Sequence, residues 1–184
     1  MSKNELTVQL LCLFRQYGYE GATLSKISEV TGLGKASLYH HFPGGKEDMA
    51  TAVLEYLEQG LERHILQSLR SKGSAISRFT QMCDRVSQFY EGGQQSCLFA
   101  VLLMGAHDRF QEKIQQCLNQ WLTAIAEVLI EEGIQPQLAQ QRAEDAILQI
   151  QGALILARGL GNPTAFQRVI TRLPVELTHL PPGS

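Results

Sequence analysis

Residues 23–42 read TLSKISEVTGLGKASLYHHF. Thr23 is placed to cap a short helix, Leu24 to Thr31, its hydroxyl accepting a bond from a free backbone N–H of the first turn. Gly32-Leu33-Gly34 then makes a tight turn, with Gly32 free to take backbone angles closed to other residues. Lys35 to His41 form a further short helix, and Pro43-Gly44-Gly45 ends it. Ile27, Val30, Leu33 and Leu38 supply the apolar side chains that hold the two helices together. Leu38 turns inward, which leaves Lys35, Ser37, Tyr39, His40 and His41 to share the outer faces. Two short helices joined by a glycine-containing turn are the unit that places a helix in the major groove of DNA.

A helix used in this way needs polar tips for base edges and donors for phosphate oxygens. Tyr39 offers a hydroxyl, Lys35 and Lys46 ammonium groups, and the histidines imidazole N–H donors. Lys46 also falls in the first turn of the next helix, whose free N–H groups favour an anion. A basic patch from Lys35 to Lys46 is thus expected, with the acidic neighbours Glu47 and Asp48 leaning away from it. Competing readings are weaker. Tyr39 as a core aromatic conflicts with the face it occupies. Adjacent His40 and His41 point about 100° apart on a helix, a poor start for a metal site.

Helical spacing recurs along the rest of the chain, and no run alternates as a strand would. Leu6, Leu10, Leu13, Phe14 and Tyr17 form one stripe, stopped by Gly18. Met49, Val53, Tyr56, Leu57, Leu61, Ile65 and Leu69 form another, a helix of roughly 25 residues and about 38 Å. Further helices are expected at about 75–90, 97–107, 109–132, 138–158 and 164–172. The fold class is therefore all-α: a three-helix helix-turn-helix domain (1–45), a connecting helix (46–72) and a larger helical bundle (73–184) that dimerises.

Bulk properties narrow the function. The chain of 184 residues is 44% hydrophobic, enough for a packed core, and carries a formal charge of −2, so any polyanion must meet a local patch. Apolar runs fall short of a membrane span, and MSKNELTVQ lacks the apolar core of a secretion signal, so a cytoplasmic location is expected. Cys12, Cys83, Cys97 and Cys117 are widely spaced, which suits reduced thiols better than a disulfide frame or zinc site. Neither nucleophile-elbow, zinc-protease, phosphate-loop nor dinucleotide motif is present, so no cofactor, catalytic residue or metal is expected.

The stretch TLSKISEVTGLGKASLYHHF, followed by PGGKEDM, resembles the DNA-binding domain of the tetracycline-repressor (TetR) family over about Leu6 to Leu57. That resemblance implies a bacterial one-component regulator: a homodimer with an N-terminal helix-turn-helix, a double-stranded DNA operator and a helical ligand-binding domain. Carried over by position, Thr23 and Lys26 resemble backbone-contacting residues. Lys35, Ala36, Ser37, Tyr39 and His40 occupy the recognition helix, and Lys46 resembles a phosphate-contacting lysine. Gly34 departs from the serine usual at that cap, and N-terminal basic residues are few (Lys3 and Arg15). The Pro-Gly-Gly insertion, Ser96-Cys97-Leu98-Phe99 and Gly152 to Arg158 are similar to a branch that includes the lincomycin-resistance repressors.

In the bundle, Ala143, Ala146, Ile150, Ala153, Ala157 and Leu160 recur at spacings of three and four, as on a seam where two helices approach closely. Ile147, Leu148, Leu154, Ile155 and Leu156 make the same helix apolar almost all round, so it must be covered on every side. A twin subunit is the economical cover, with Phe166 and Ile170 of the last helix joining the seam; the bland alternative is the central helix of a monomeric bundle. Phe79, Met82, Phe89, Phe99, Leu103, Met104, Trp121 and Ile125 are candidates to line a cavity for a small hydrophobic effector, although the same stripe also reads as ordinary core. Cys97, opening a helix after a Gly-Gly-Gln-Gln-Ser stretch, is the candidate thiol for the alternative reading of an electrophile- or redox-sensing repressor.

Overall fold

The computed structural model describes residues 2–179, apart from the side chains of Ala106 and His107. Among the described residues it is helical throughout, with no strand. The helices are α1 (Lys3–Gly21), α2 (Leu24–Thr31), α3 (Lys35–His41), α4 (Lys46–Gly60), α5 (Gln67–Leu69), α6 (Ala75–Phe89), α7 (Leu98–Glu131), α8 (Pro136–Leu160) and α9 (Thr164–Thr178). The chain forms two compact units. The first gathers residues up to Gln59 with Cys97–Gln115, and the second gathers Gly60–Ser96 with the chain from Gln116 onward. Sequence order alone assigns 97–115 to the bundle; the folded chain returns it to the N-terminal unit.

In the first unit, Leu6, Leu10, Leu13 and Phe14 of α1 bury as their spacing predicts, but Tyr17 does not. Gly18 sits at φ 69, outside helical geometry, and the kink shifts the phase of the last turn. Tyr19 goes inward instead, between Phe14 and Phe110, while Tyr17 stays exposed. Ser2 and Glu5 close the start of α1 as a reciprocal capping box.

The connecting helix is not a uniform rod. α4 ends at Gly60, and Leu61–Leu66 take up a π-helical turn, with the Gln67 N–H bonding to the Glu62 carbonyl, before α5 resumes α geometry. The apolar stripe survives this because Leu61, Ile65, Leu66 and Leu69 all remain buried. The break expected near residue 108 is absent: α7 runs unbroken from Leu98 to Glu131. α9 also extends past its expected end, carrying Pro174 inside it to Thr178.

In the second unit, α9 packs against both α6 and α8. Phe79, Met82 and Val86 of α6, Ile150 and Ala153 of α8, and Phe166 and Leu173 of α9 are all buried. Gly93 brings the backbone against the Phe166 ring, so close that a side chain there would overlap it.

Candidate nucleic-acid interface

The interface is built from α2, the turn and α3, all in the first unit. Thr23 lies in extended geometry, and its hydroxyl accepts the Lys26 backbone N–H at 3.3 Å. Gly32 closes α2 in the left-handed region at φ 68, the conformation expected of it from sequence. Thr31 adds a brace that sequence reasoning missed: its hydroxyl donates to the Ile27 carbonyl at 2.6 Å and accepts the Leu33 N–H at 3.3 Å. Ile27 and Leu38 are fully buried, and Leu33 is half-buried. Val30 is a correction, since it is exposed and holds nothing between the helices. One turn after Ile27, position 30 falls about 60° off the buried line, enough to reach the rim.

With Leu38 as the single buried residue of α3, the rest of the helix faces outward. Lys35, Ala36, Ser37, Tyr39 and His40 are exposed, and His41 is half-buried. Gly34 provides no side-chain cap, so the first N–H groups of α3 lack that protein acceptor. Tyr39 is exposed, yet one part of its ring is packed. Its ring lies against Gly45, where an added Cβ would stand 3.3 Å from a ring carbon, and Gly45 itself holds φ 69. The Pro-Gly-Gly turn is therefore the seat of the Tyr39 ring.

Three lysines of this unit are parked over aromatic rings. Lys3 lies 5.4 Å from the centroid of Phe42, Lys26 4.0 Å from Tyr17, and Lys46 4.4 Å from Tyr19. Such stacking steadies a flexible cation while leaving its N–H donors open. Tyr17 and Tyr19, on either side of the Gly18 kink, supply the last two rings. The acidic neighbours do turn away: Asp48 accepts the Gly44 N–H at 2.6 Å, and Glu47 pairs with Arg109 at 2.7 Å. Lys46 itself faces Glu20 at 3.6 Å. Burial pushes the Tyr19 phenol above its ordinary range, with Glu47 and Glu20 adding to the rise and Arg109 opposing it, so the ring meets Lys46 as neutral tyrosine.

The residues expected to line an effector cavity are divided between the two units. Phe79, Met82, Phe89, Trp121 and Ile125 belong to the second unit, where Trp121 donates its indole N–H to the Met82 sulfur at 3.5 Å. Phe99, Leu103 and Met104 belong to the first, and Met104 is 91% exposed, a correction to its place among interior residues. The seam of small residues is turned inward as well. Ala143, Ala146, Ile150, Ala153, Ala157, Phe166 and Ile170 are all buried within a single chain. Leu160, grouped with them by spacing, is 73% exposed. The open face of α8 is the stripe Leu148, Gly152, Ile155 and Gly159, with Leu156 and Leu160 beside it. An added Cβ at Gly152 or Gly159 would meet nothing within 4 Å.

Cys97 is buried directly before α7, and Cys83 is buried with its thiol pushed up to about 12, first by burial and then by Asp84. A thiol so raised is protonated and unreactive at neutral pH. The two motif segments singled out in the bundle do meet: Arg158 donates to the Ser96 hydroxyl at 2.8 Å. Among the described residues, no three His, Cys, Asp or Glu side chains gather as metal donors, and no helix is long and apolar enough to cross a membrane.

A buried-anchor helix-turn-helix with its polar side outward, carried in an all-helical two-unit chain, defines the class of helix-turn-helix DNA-binding regulators. Residues 11–53 match the model of bacterial regulatory proteins of the tetR family, and residues 74–172 match the C-terminal domain of LmrA/YxaF-like transcriptional regulators. The chain belongs to the TetR family, in its LmrA/YxaF-like group. It is 24% identical to the HTH-type transcriptional regulator LmrA of Bacillus subtilis over 168 residues, covering 88% of this chain and 89% of that one. It is 26% identical to the nucleoid occlusion factor SlmA of Idiomarina loihiensis over 179 residues, 95% and 88% of the two chains. A TetR transcriptional regulator from Legionella pneumophila shares the fold, with a TM-score of 0.83, 20% identity and coverage of 96% and 97%. The protein is thus a DNA-binding transcriptional regulator.

Proposed function

We propose that the protein is a ligand-responsive repressor that binds a palindromic operator as a homodimer and is released by a small hydrophobic effector. The observation that carries the DNA half is α3: one buried anchor, Leu38, and an outer surface of Lys35, Ser37, Tyr39 and His40. Thr23, Lys26 and Lys46 flank it as phosphate-directed groups. The dimer half is supported by α8, whose Leu148, Ile155, Leu156 and Leu160 are exposed apolar side chains on a helix already buried on its other face. Leaving them in water forfeits hydrophobic stabilisation that a second copy would recover. A glycine inside a helix costs about 1 kcal/mol relative to alanine. Gly152 and Gly159 have no neighbour within the chain that demands them. Close approach by a twin α8 gives both a use, and replaces the inward seam as the interface. Two recognition helices related by a two-fold axis then read grooves about 34–36 Å apart.

The effector half rests on the second unit, where Phe79, Met82, Trp121 and Ile125 form an apolar interior with flexible methionine. Binding there would favour one arrangement of the dimer over another and so change the fit to successive grooves. Selecting bound fragments from genomic DNA with the purified protein tests the reading. Recovery of a common inverted repeat is expected; recovery of no enriched duplex, or of a non-palindromic one bound by monomer, would overturn it.

A further inference from the structure

Three carboxylates neighbour Lys46 in sequence or space, and two of them are already engaged. Asp48 turns back to the Gly44 N–H and Glu47 is held by Arg109. Glu20 is the one left facing the Lys46 ammonium, at 3.6 Å. That ammonium rests on the face of Tyr19, a ring that is itself buried and braced by Phe14 and Phe110. The platform is therefore fixed, while the Glu20 side chain is 76% exposed and free to swing into water; the Lys46 side chain, by contrast, is only 22% exposed. A ring face attracts the cation without using its N–H donors, so what those donors meet is decided by whichever oxygen anion is nearest.

We propose that Glu20 is an internal competitor for the phosphate backbone: its carboxylate occupies the position on the Lys46 ammonium that a DNA phosphate takes, and so lowers the affinity of this unit for duplex. The inference rests on the reading of Lys46 as a phosphate ligand. When DNA arrives, the ammonium stays on Tyr19, the phosphate replaces the carboxylate, and Glu20 returns to solvent. Since Glu20 is largely solvated throughout, the exchange is worth about what one exposed ion pair is worth.

The test measures binding of the full-length protein to a mixed-sequence duplex long enough for two half-sites, at low and at physiological salt. The proteins compared are the unaltered protein, Glu20→Gln, Lys46→Ala and the double variant. Glu20→Gln is expected to tighten binding roughly two- to five-fold at low salt. The gain should shrink as salt screens the pair, and it should vanish in the Lys46→Ala background, because the competition needs the lysine. Unchanged or weaker binding by Glu20→Gln overturns the proposal. So does a gain that survives loss of Lys46, which would be general charge repulsion. Failure of the unaltered protein to bind any duplex would instead remove the functional reading beneath it.

Discussion

Helices α3 and α8 pose the same problem to the chain and solve it differently. α3 is seven residues long and has one buried side chain, Leu38, so its orientation follows from a single apolar anchor. α8 is 25 residues long and carries apolar side chains around most of its circumference, so two opposed faces compete for the interior. The small-residue face, Ala143 to Ala157, wins, and the bulkier Leu148, Ile155 and Leu156 are left outside. Small side chains let α9 pack closely against α8 within one chain, where both helices are covalently joined and no association entropy is paid. A short polar helix advertises its working surface. A long apolar one does not.

Substitutions on the two faces of α8 should break this comparison most visibly. Ile150→Ala removes a fully buried side chain and should destabilise the fold by about 2–5 kcal/mol in a denaturant titration. Ile155→Glu, on the exposed face, should preserve helicity by circular dichroism but convert dimer to monomer in sedimentation. Its operator affinity should fall by more than about 100-fold, because a single half-site forfeits the second set of phosphate contacts. If Ile155→Glu still sediments as a dimer, the exposed stripe is not the interface.

On α3, Tyr39→Ala and Lys35→Ala should weaken operator binding with little change in melting temperature, each by about 1–3 kcal/mol if the side chain reaches a base edge. Lys46→Ala should weaken binding across sequences and flatten the log K against log salt slope by about one. Gly45→Ala couples the turn to the reading surface. It forces an L side chain into φ 69 and against the Tyr39 ring, so a loss of roughly 1–2 kcal/mol in stability is expected, with reduced affinity as Tyr39 is displaced. A Gly45→Ala protein as stable and tight as the original would show that the ring can re-seat.

The smallest effect concerns the start of α1. The backbone N–H of Ser2, and then its side chain, hold the Glu5 carboxyl below its usual range. A depressed folded value means the cap contributes fully above the unfolded value and loses its contribution as pH falls through the folded one. Acid titration of thermal stability should therefore show a slight extra decline in that window, absent in Glu5→Gln.

Much of this was legible in the linear chain because it depends on local chemistry. The Thr23 cap, the Gly32 turn, the limits of α2 and α3 and the outward set from Lys35 to His40 all follow from residues within one or two turns of each other. What the order of residues could not decide was phase and partnership over distance. Gly18 changes the helical phase by adopting φ 69, which exchanges Tyr17 for Tyr19 in the interior. The pairing of Lys46 with Glu20 and of Glu47 with Arg109 joins residues 26 and 62 positions apart, and no local pattern announces it. The side of α8 that faces inward is settled by which surface packs α9 best, a competition between two apolar stripes that only the folded chain resolves.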